Sequence, residues 1–146
     1  MAEALGETLG GPVGRVGRGA VGAVEAQELH GGKVALVNGA SRGIGEAIAH
    51  GLAACGAKVV CTSRKIEGVQ TVADAINEAG GEALAHTCNA GDLDQIEALI
   101  GFIREECGRL DILINNAGMA SGGHNLPIGD LDAFTPEVWM EMLNVN

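Results

Sequence analysis

The sequence predicts an α/β fold, a doubly wound parallel sheet with helices on both faces. Three observations carry this. From Lys33 onward, short apolar runs alternate with segments of helical periodicity, which is the pattern of repeated strand and helix units. Two of those runs pass directly into small glycine-bearing turns, GASRGIG after Asn38 and NAG after Asn115. The composition is 47% apolar with 24 Gly, two Phe, one Trp and no Tyr, so packing rests on Val, Ile, Leu and Ala between closely approaching backbones. That suits a parallel sheet covered by helices.

The first 32 residues carry nine Gly, no aromatic residue and no sustained period. They offer too little apolar surface to offset the entropy of ordering, and read as a flexible extension. Arg15 and Arg18 in a Gly- and Ala-rich setting fit an organelle transit peptide, whereas Glu3, Glu7, Glu25 and Glu28 count against one. The strands are expected at Val34 to Asn38, Lys58 to Thr62, Ala83 to Cys88 and Asp111 to Asn115, each short, mostly apolar and bounded by Gly or polar residues. Between them lie three helices with the three-and-four spacing of one buried face. The first shows Ile44, Ile48, Leu52 and Cys55; the second Val69, Val72, Ala73 and Ile76; the third Leu93, Ile96, Leu99, Ile100 and Ile103. Asp92 with Gln95 three residues on forms a capping box for the third helix, and Thr135 followed by Pro136 starts a fourth. Residues 33–146 are one domain.

A formal net charge of −10 argues against nucleic acid and against an anionic membrane surface. No apolar run approaches the roughly 18 residues needed to span a bilayer, so the body reads as soluble and cytoplasmic. Cys55, Cys61, Cys88 and Cys107 lack C-x-x-C or zinc-ligand spacing and read as buried, reduced thiols. His86 and His124 have no Cys, Asp or Glu partners at metal-ligand spacing, so no metal site is expected. Glu105 and Glu106 read as a solvated helix end.

The turn VALVNGASRGIG has the build of a dinucleotide phosphate cradle. Gly39 can take a backbone angle closed to other residues, Gly43 leaves the helix start bare where a pyrophosphate must approach, and Gly45 lets helix and strand pack closely. The N–H groups and positive dipole of the helix N-terminus then face the phosphates. Together with LDILINNAG at Leu110 to Gly118, this turn resembles the signatures of the short-chain dehydrogenase/reductase family, a T-G-x-x-x-G-x-G cradle and an N-N-A-G turn after the fourth strand. The resemblance runs from Lys33 to the last residue and implies the N-terminal part of a Rossmann-type domain, about four strands and four helices.

By that resemblance Asn38, Gly39, Ser41, Arg42, Gly43, Ile44 and Gly45 line the phosphate side of a cofactor, Asn38 standing where the family usually has Thr. Asn89 and Ala90 follow the third strand where many relatives carry an Asp that touches the adenine amine, a bond an Asn carbonyl can also accept. Asn116, Ala117 and Gly118 support the sheet and pass along the adenine ribose. Enzymes preferring NAD place an acid after the second strand for the ribose hydroxyls; here Ser63, Arg64 and Lys65 occupy that place. Residues 33–146 hold seven Lys and Arg against fifteen Asp and Glu, yet three of the seven, Arg42, Arg64 and Lys65, cluster at the position of a 2′-phosphate. NADP(H) is therefore expected ahead of NAD(H).

The resemblance further implies hydride transfer between NADP(H) and a carbonyl or alcohol substrate, in a protein that forms homo-oligomers. Asn146 matches the family asparagine whose backbone carbonyl holds a water in the proton relay. The Ser and the Tyr-x-x-x-Lys that complete the relay do not occur in these 146 residues, so this chain alone is expected to lack activity. The pattern also stops before a further strand, which leaves Ile112, Leu113 and Ile114 on an expected edge. The rival reading is a nucleotide-binding or interaction module without catalysis.

Overall fold

The computed structural model describes residues 29–118 and 135–145. Eight elements follow one another: β1 Val34–Asn38, α1 Gly43–Ala54, β2 Lys58–Ser63, α2 Ile66–Glu78, β3 Glu82–Thr87, α3 Leu93–Cys107, β4 Ile112–Asn115 and α4 Pro136–Val145. The strands form one sheet in the order β3-β2-β1-β4, every pair parallel. β2 runs one residue past its expected end because Ser63 still pairs with Thr87, and β3 is shifted one residue earlier than expected. Asp111, expected to open β4, lies just outside it and donates its N–H to Val34 O at 2.9 Å.

Because the chain steps from β1 outward to β3 and then returns to the far side of β1, the strand order reverses between β1 and β4. The crevice beyond the C-terminal ends of those two strands is where open α/β sheets bind ligands. Each face of the sheet has its own core. Ala35, Val37, Val59, Cys61 and Ala83 pack under α1 and α2, while Val34, Leu36 and Val60 pack under Leu99 and Ile103 of α3. This is the doubly wound arrangement.

The helix faces follow the apolar pattern in α2, where Val69, Val72, Ala73 and Ile76 are all buried. α1 differs. Its buried residues are Gly45, Ala49 and Ala53, one position on from the expected stripe; Ile48 and Leu52 are half-buried and Ile44 is 74% exposed. Small residues face the sheet there because the helix lies too close to it for larger ones. In α3, Leu99 and Ile103 are buried with Ile96 packed beside them, but Leu93 and Ile100 are exposed and do not belong to the buried face. Cys55 and Cys107 are also only half-buried, unlike Cys61 and Cys88.

Asp92 caps α3 by accepting from Asp94 N and Gln95 N. The box is modified: Gln95 Nε2 donates to Asp92 Oδ2 at 2.7 Å, and Gln95 Oε1 accepts from Asn89 N at 2.9 Å rather than from the cap residue. At α4, Thr135 Oγ1 accepts from Val138 N. Before β1, His30 N donates to Cys55 O and Lys33 N to His30 O, each at 3.0 Å, tying this segment to the C-terminal end of α1. At the opposite end of the strands from the crevice, Asp111 Oδ2 accepts from Val34 N at 2.8 Å and is held by Arg109, while Lys58 pairs with Glu82 at 2.9 Å.

One polar row crosses the sheet near the crevice. His86 of β3, Thr62 of β2, Asn38 of β1 and Asn115 of β4 stand side by side in register. Thr62 is fully buried, and its hydroxyl donates to Val37 O and to Asn38 Oδ1 at 3.4 and 3.3 Å. The His86 ring lies 4.6 Å from that of Phe102, and its Nδ1–H donates to Thr87 O, so this histidine is a packing residue.

Candidate functional site

A cleft of about 330 Å³ opens over the C-terminal ends of the strands. Four segments line it: Asn38, Gly39, Ser41, Arg42, Ile44 and Gly45 from the end of β1 to the start of α1; Ser63 and Arg64 at the end of β2; Cys88, Asn89 and Ala90 after β3; and Asn116, Ala117 and Gly118 after β4. The structure thus brings together all the expected cofactor residues except Gly43 and Lys65. Gly43 is exposed at the helix start, and Lys65 is the exposed N-cap of α2. Asn146 and His124 lie outside the described residues.

The cradle is built by close approach. Gly39 takes φ +75°, and a Cβ there would lie 2.8 Å from Ala117 Cα. A Cβ on Gly45 would overlap Gly39 O and would sit 2.5 Å from Asn116 Nδ2. Asn116 Nδ2 fills the space that remains, donating to Asn38 O at 3.2 Å and to Gly39 O at 3.1 Å. The turn after β4 therefore holds the turn after β1 in shape.

Two helix N-termini meet this cleft, and neither has a side-chain cap. Arg42 is the N-cap of α1 and Lys65 that of α2, each in extended conformation. A cation at the positive end of a helix is opposed by the helix dipole, whereas α3 has Asp92 in the favoured role. Unsatisfied N–H groups beside cations are what an anionic ligand requires. Ser63 Oγ donates to Lys65 O at 2.6 Å, which fixes the short loop that carries Arg64.

Asn89 is partly committed to its own turn, since Oδ1 accepts from Gly91 N at 3.2 Å. A carbonyl has a second lone pair, so this leaves one acceptor position toward the cleft. Sequence reasoning read Cys88 as a buried thiol ending the third strand; it is buried, one residue past β3, and it also lines the cleft, which that reading missed. Its thiol is pushed up in pKa by burial and then by the Asp92 charge, so it remains protonated at neutral pH and forms an apolar wall. The signal was its place just before Asn89, at a strand end facing the crevice. Among the described residues no group of His, Cys, Asp and Glu could hold a metal ion. No described helix is long and apolar enough to cross a membrane.

The sequence model of the short chain dehydrogenases matches residues 33–146. The chain belongs to the short-chain dehydrogenase/reductase family. It is 42% identical over 115 residues to 3-oxoacyl-(acyl-carrier-protein) reductase FabG of Escherichia coli, covering 79% of this chain and 43% of that protein. It is 39% identical over 116 residues to a trihydroxynaphthalene reductase of Colletotrichum orbiculare, covering 79% and 39% respectively. Among solved structures, a metagenomic short-chain oxidoreductase in complex with NADP superposes with a TM-score of 0.70 at 41% identity, over 80% of this chain and 50% of that one. The chain spans half or less of the length of these short-chain dehydrogenase/reductase relatives.

Proposed function

We propose that this chain supplies the NADP(H)-binding half of a short-chain reductase acting on a carbonyl or alcohol substrate. The observation that carries the cofactor choice is that Arg42 and Arg64, from separate segments, both line the cleft, while among the described residues no Asp or Glu lines it. An arginine pair suits a 2′-phosphate; an acid there would repel it. The solved relative with bound NADP supports the same reading.

NADPH supplies a hydride when bound. The residues of this chain would bind and orient it: the N–H groups at the start of α1 and the bare backbone of Gly43 would take the pyrophosphate, Gly45 letting α1 pack on the Gly39 turn, and the Asn89–Ala90 turn and the Cys88 wall would take the adenine. Asn116, Ala117 and Gly118 pass along the ribose, and Asn38 closes the floor beside Thr62. Asn146, outside the described residues, would be the family asparagine whose backbone carbonyl holds a relay water. The proton donor is not among these residues, since the chain has no tyrosine. The reductases named above make a carbonyl substrate the reading, in a homo-oligomeric, cytoplasmic protein.

Titration of the intact protein with NADPH and NADH tests this. Each charge-assisted arginine contact contributes on the order of 1.5–3 kcal/mol, so NADPH binds at least tenfold more tightly and Arg64→Asp abolishes the preference. Equal affinities for the two nucleotides would sink the assignment.

A further inference from the structure

We infer that Gly68 is a positioning residue that sets cofactor preference by bringing the two cationic segments of the rim together. The inference rests on the NADP(H) reading above. Gly68 lies in the first turn of α2, and a Cβ at this position would stand 2.8 Å from Ser41 Cβ and 3.7 Å from Ser41 O. Real Cβ atoms do not approach so closely. α2 thus rests on the cradle loop at a distance that only glycine allows. Ser41 adjoins Arg42, while Arg64 and the N-cap Lys65 lead directly into α2, so this contact fixes the spacing of the cations. Glycine is the poorest residue for a helix after proline, and the helical glycines Gly51 and Gly101 meet nothing within 4 Å. Apart from Gly45, which packs on Gly39 and Asn116, Gly68 is the helical glycine among the described residues with such an approach.

A methyl group at residue 68 pushes Ser41 and Arg42 away from α2. The two ends of the cradle are held separately, Asn38 and Gly39 by the bonds of Asn116 and the start of α1 by the packing of Gly45 against Gly39. Displacement of Ser41 is thus felt first by the Arg42 side chain beside it, so Gly68 acts more on the 2′-phosphate than on the remainder of the nucleotide.

Calorimetric titration of the intact protein with NADPH and NADH reads this directly, with Gly101→Ala as the control helix substitution. In Gly68→Ala the preference for NADPH falls about tenfold while NADH affinity changes less than threefold; a general structural defect weakens both nucleotides equally and overturns the inference. Ser41→Gly combined with Gly68→Ala removes the clashing atom and recovers preference relative to Gly68→Ala alone. If Gly68→Ala does not fold, a folded double variant that still prefers NADPH supports the contact, and a double variant no better than the single one overturns it. An unchanged preference in Gly68→Ala, with a normal preference in the unsubstituted protein, overturns this inference alone. Failure of the unsubstituted protein to bind either nucleotide overturns the cofactor reading and this inference together.

Discussion

Asn116 and Gly39 lie 77 positions apart in sequence, yet the Asn116 carboxamide donates to the Gly39 carbonyl at 3.1 Å. The same Nδ2 donates to Asn38 O, so one side chain serves two successive carbonyls where β1 ends. Asn116→Ala leaves both half-buried acceptors without this donor. A loss of about 1–3 kcal/mol is expected, measured by denaturant unfolding, together with weaker binding of both nucleotides.

Gly45→Ala tests the close approach of α1 to the sheet. Alanine is the better helix former by about 1 kcal/mol, but its Cβ overlaps Gly39 O and crowds Asn116 Nδ2. Crowding of backbone by backbone outweighs propensity, and the variant is expected to lose about 2 kcal/mol on balance. Gly51→Ala, whose Cβ meets nothing within 4 Å, should raise stability. A pair of thermal melts that move in the same direction would contradict this.

Acid should act partly through Asp111. The Arg109 guanidinium, and then the Val34 N–H, hold its carboxyl below the ordinary carboxylate range. Since the folded state favours the ionised form, this contribution is whole above the ordinary carboxylate pKa and is lost as pH falls through the lower, folded value. Asp111→Asn should accordingly lower stability near neutrality and flatten the acid limb of the stability profile. An unchanged acid limb, followed by unfolding at successive pH values, would remove Asp111 from the account.

Alkylation should separate the four thiols. Burial pushes Cys61 up to about 11, and it lies wholly inside the core on the face under α1 and α2. Because the thiolate is the reactive form, iodoacetamide at pH 8 should modify the half-buried Cys55 and Cys107 first and Cys61 last. Peptide mass spectrometry over a time course gives the order, and early labelling of Cys61 would contradict the packing described.

The order of elements was legible because strand and helix periods alternate sharply, and α2 was legible to the residue because its buried face is made of Val, Ala and Ile. α1 was not. A hydrophobic stripe marks large side chains, but Gly45, Ala49 and Ala53 face the sheet because they are small, which pushes Ile44 to the cleft rim. Leu93 and Ile100 fit the helical spacing yet fall outside the width of face that α3 buries. Most cleft residues could be read from the two glycine turns. Cys88 escaped because a thiol at a strand end carries the same apolar signal as core, and the crowding at Gly68 depends on how α2 lies over the cradle loop, which no local pattern encodes.

The polar row of His86, Thr62, Asn38 and Asn115 acts as a gauge mark for the sheet. β1 and β2 are buried on both faces, so VALV and VVC offer no contrast between inside and outside by which neighbouring strands could align. Parallel ladders have evenly spaced hydrogen bonds and tolerate sliding by themselves. Sliding one strand toward the core, however, would carry an amide or hydroxyl into a layer that holds only Leu36, Val60 and their apolar neighbours, away from the partners it meets at the crevice. Four short strands are thus brought level at the crevice end, because any misaligned sheet strands a polar group in oil.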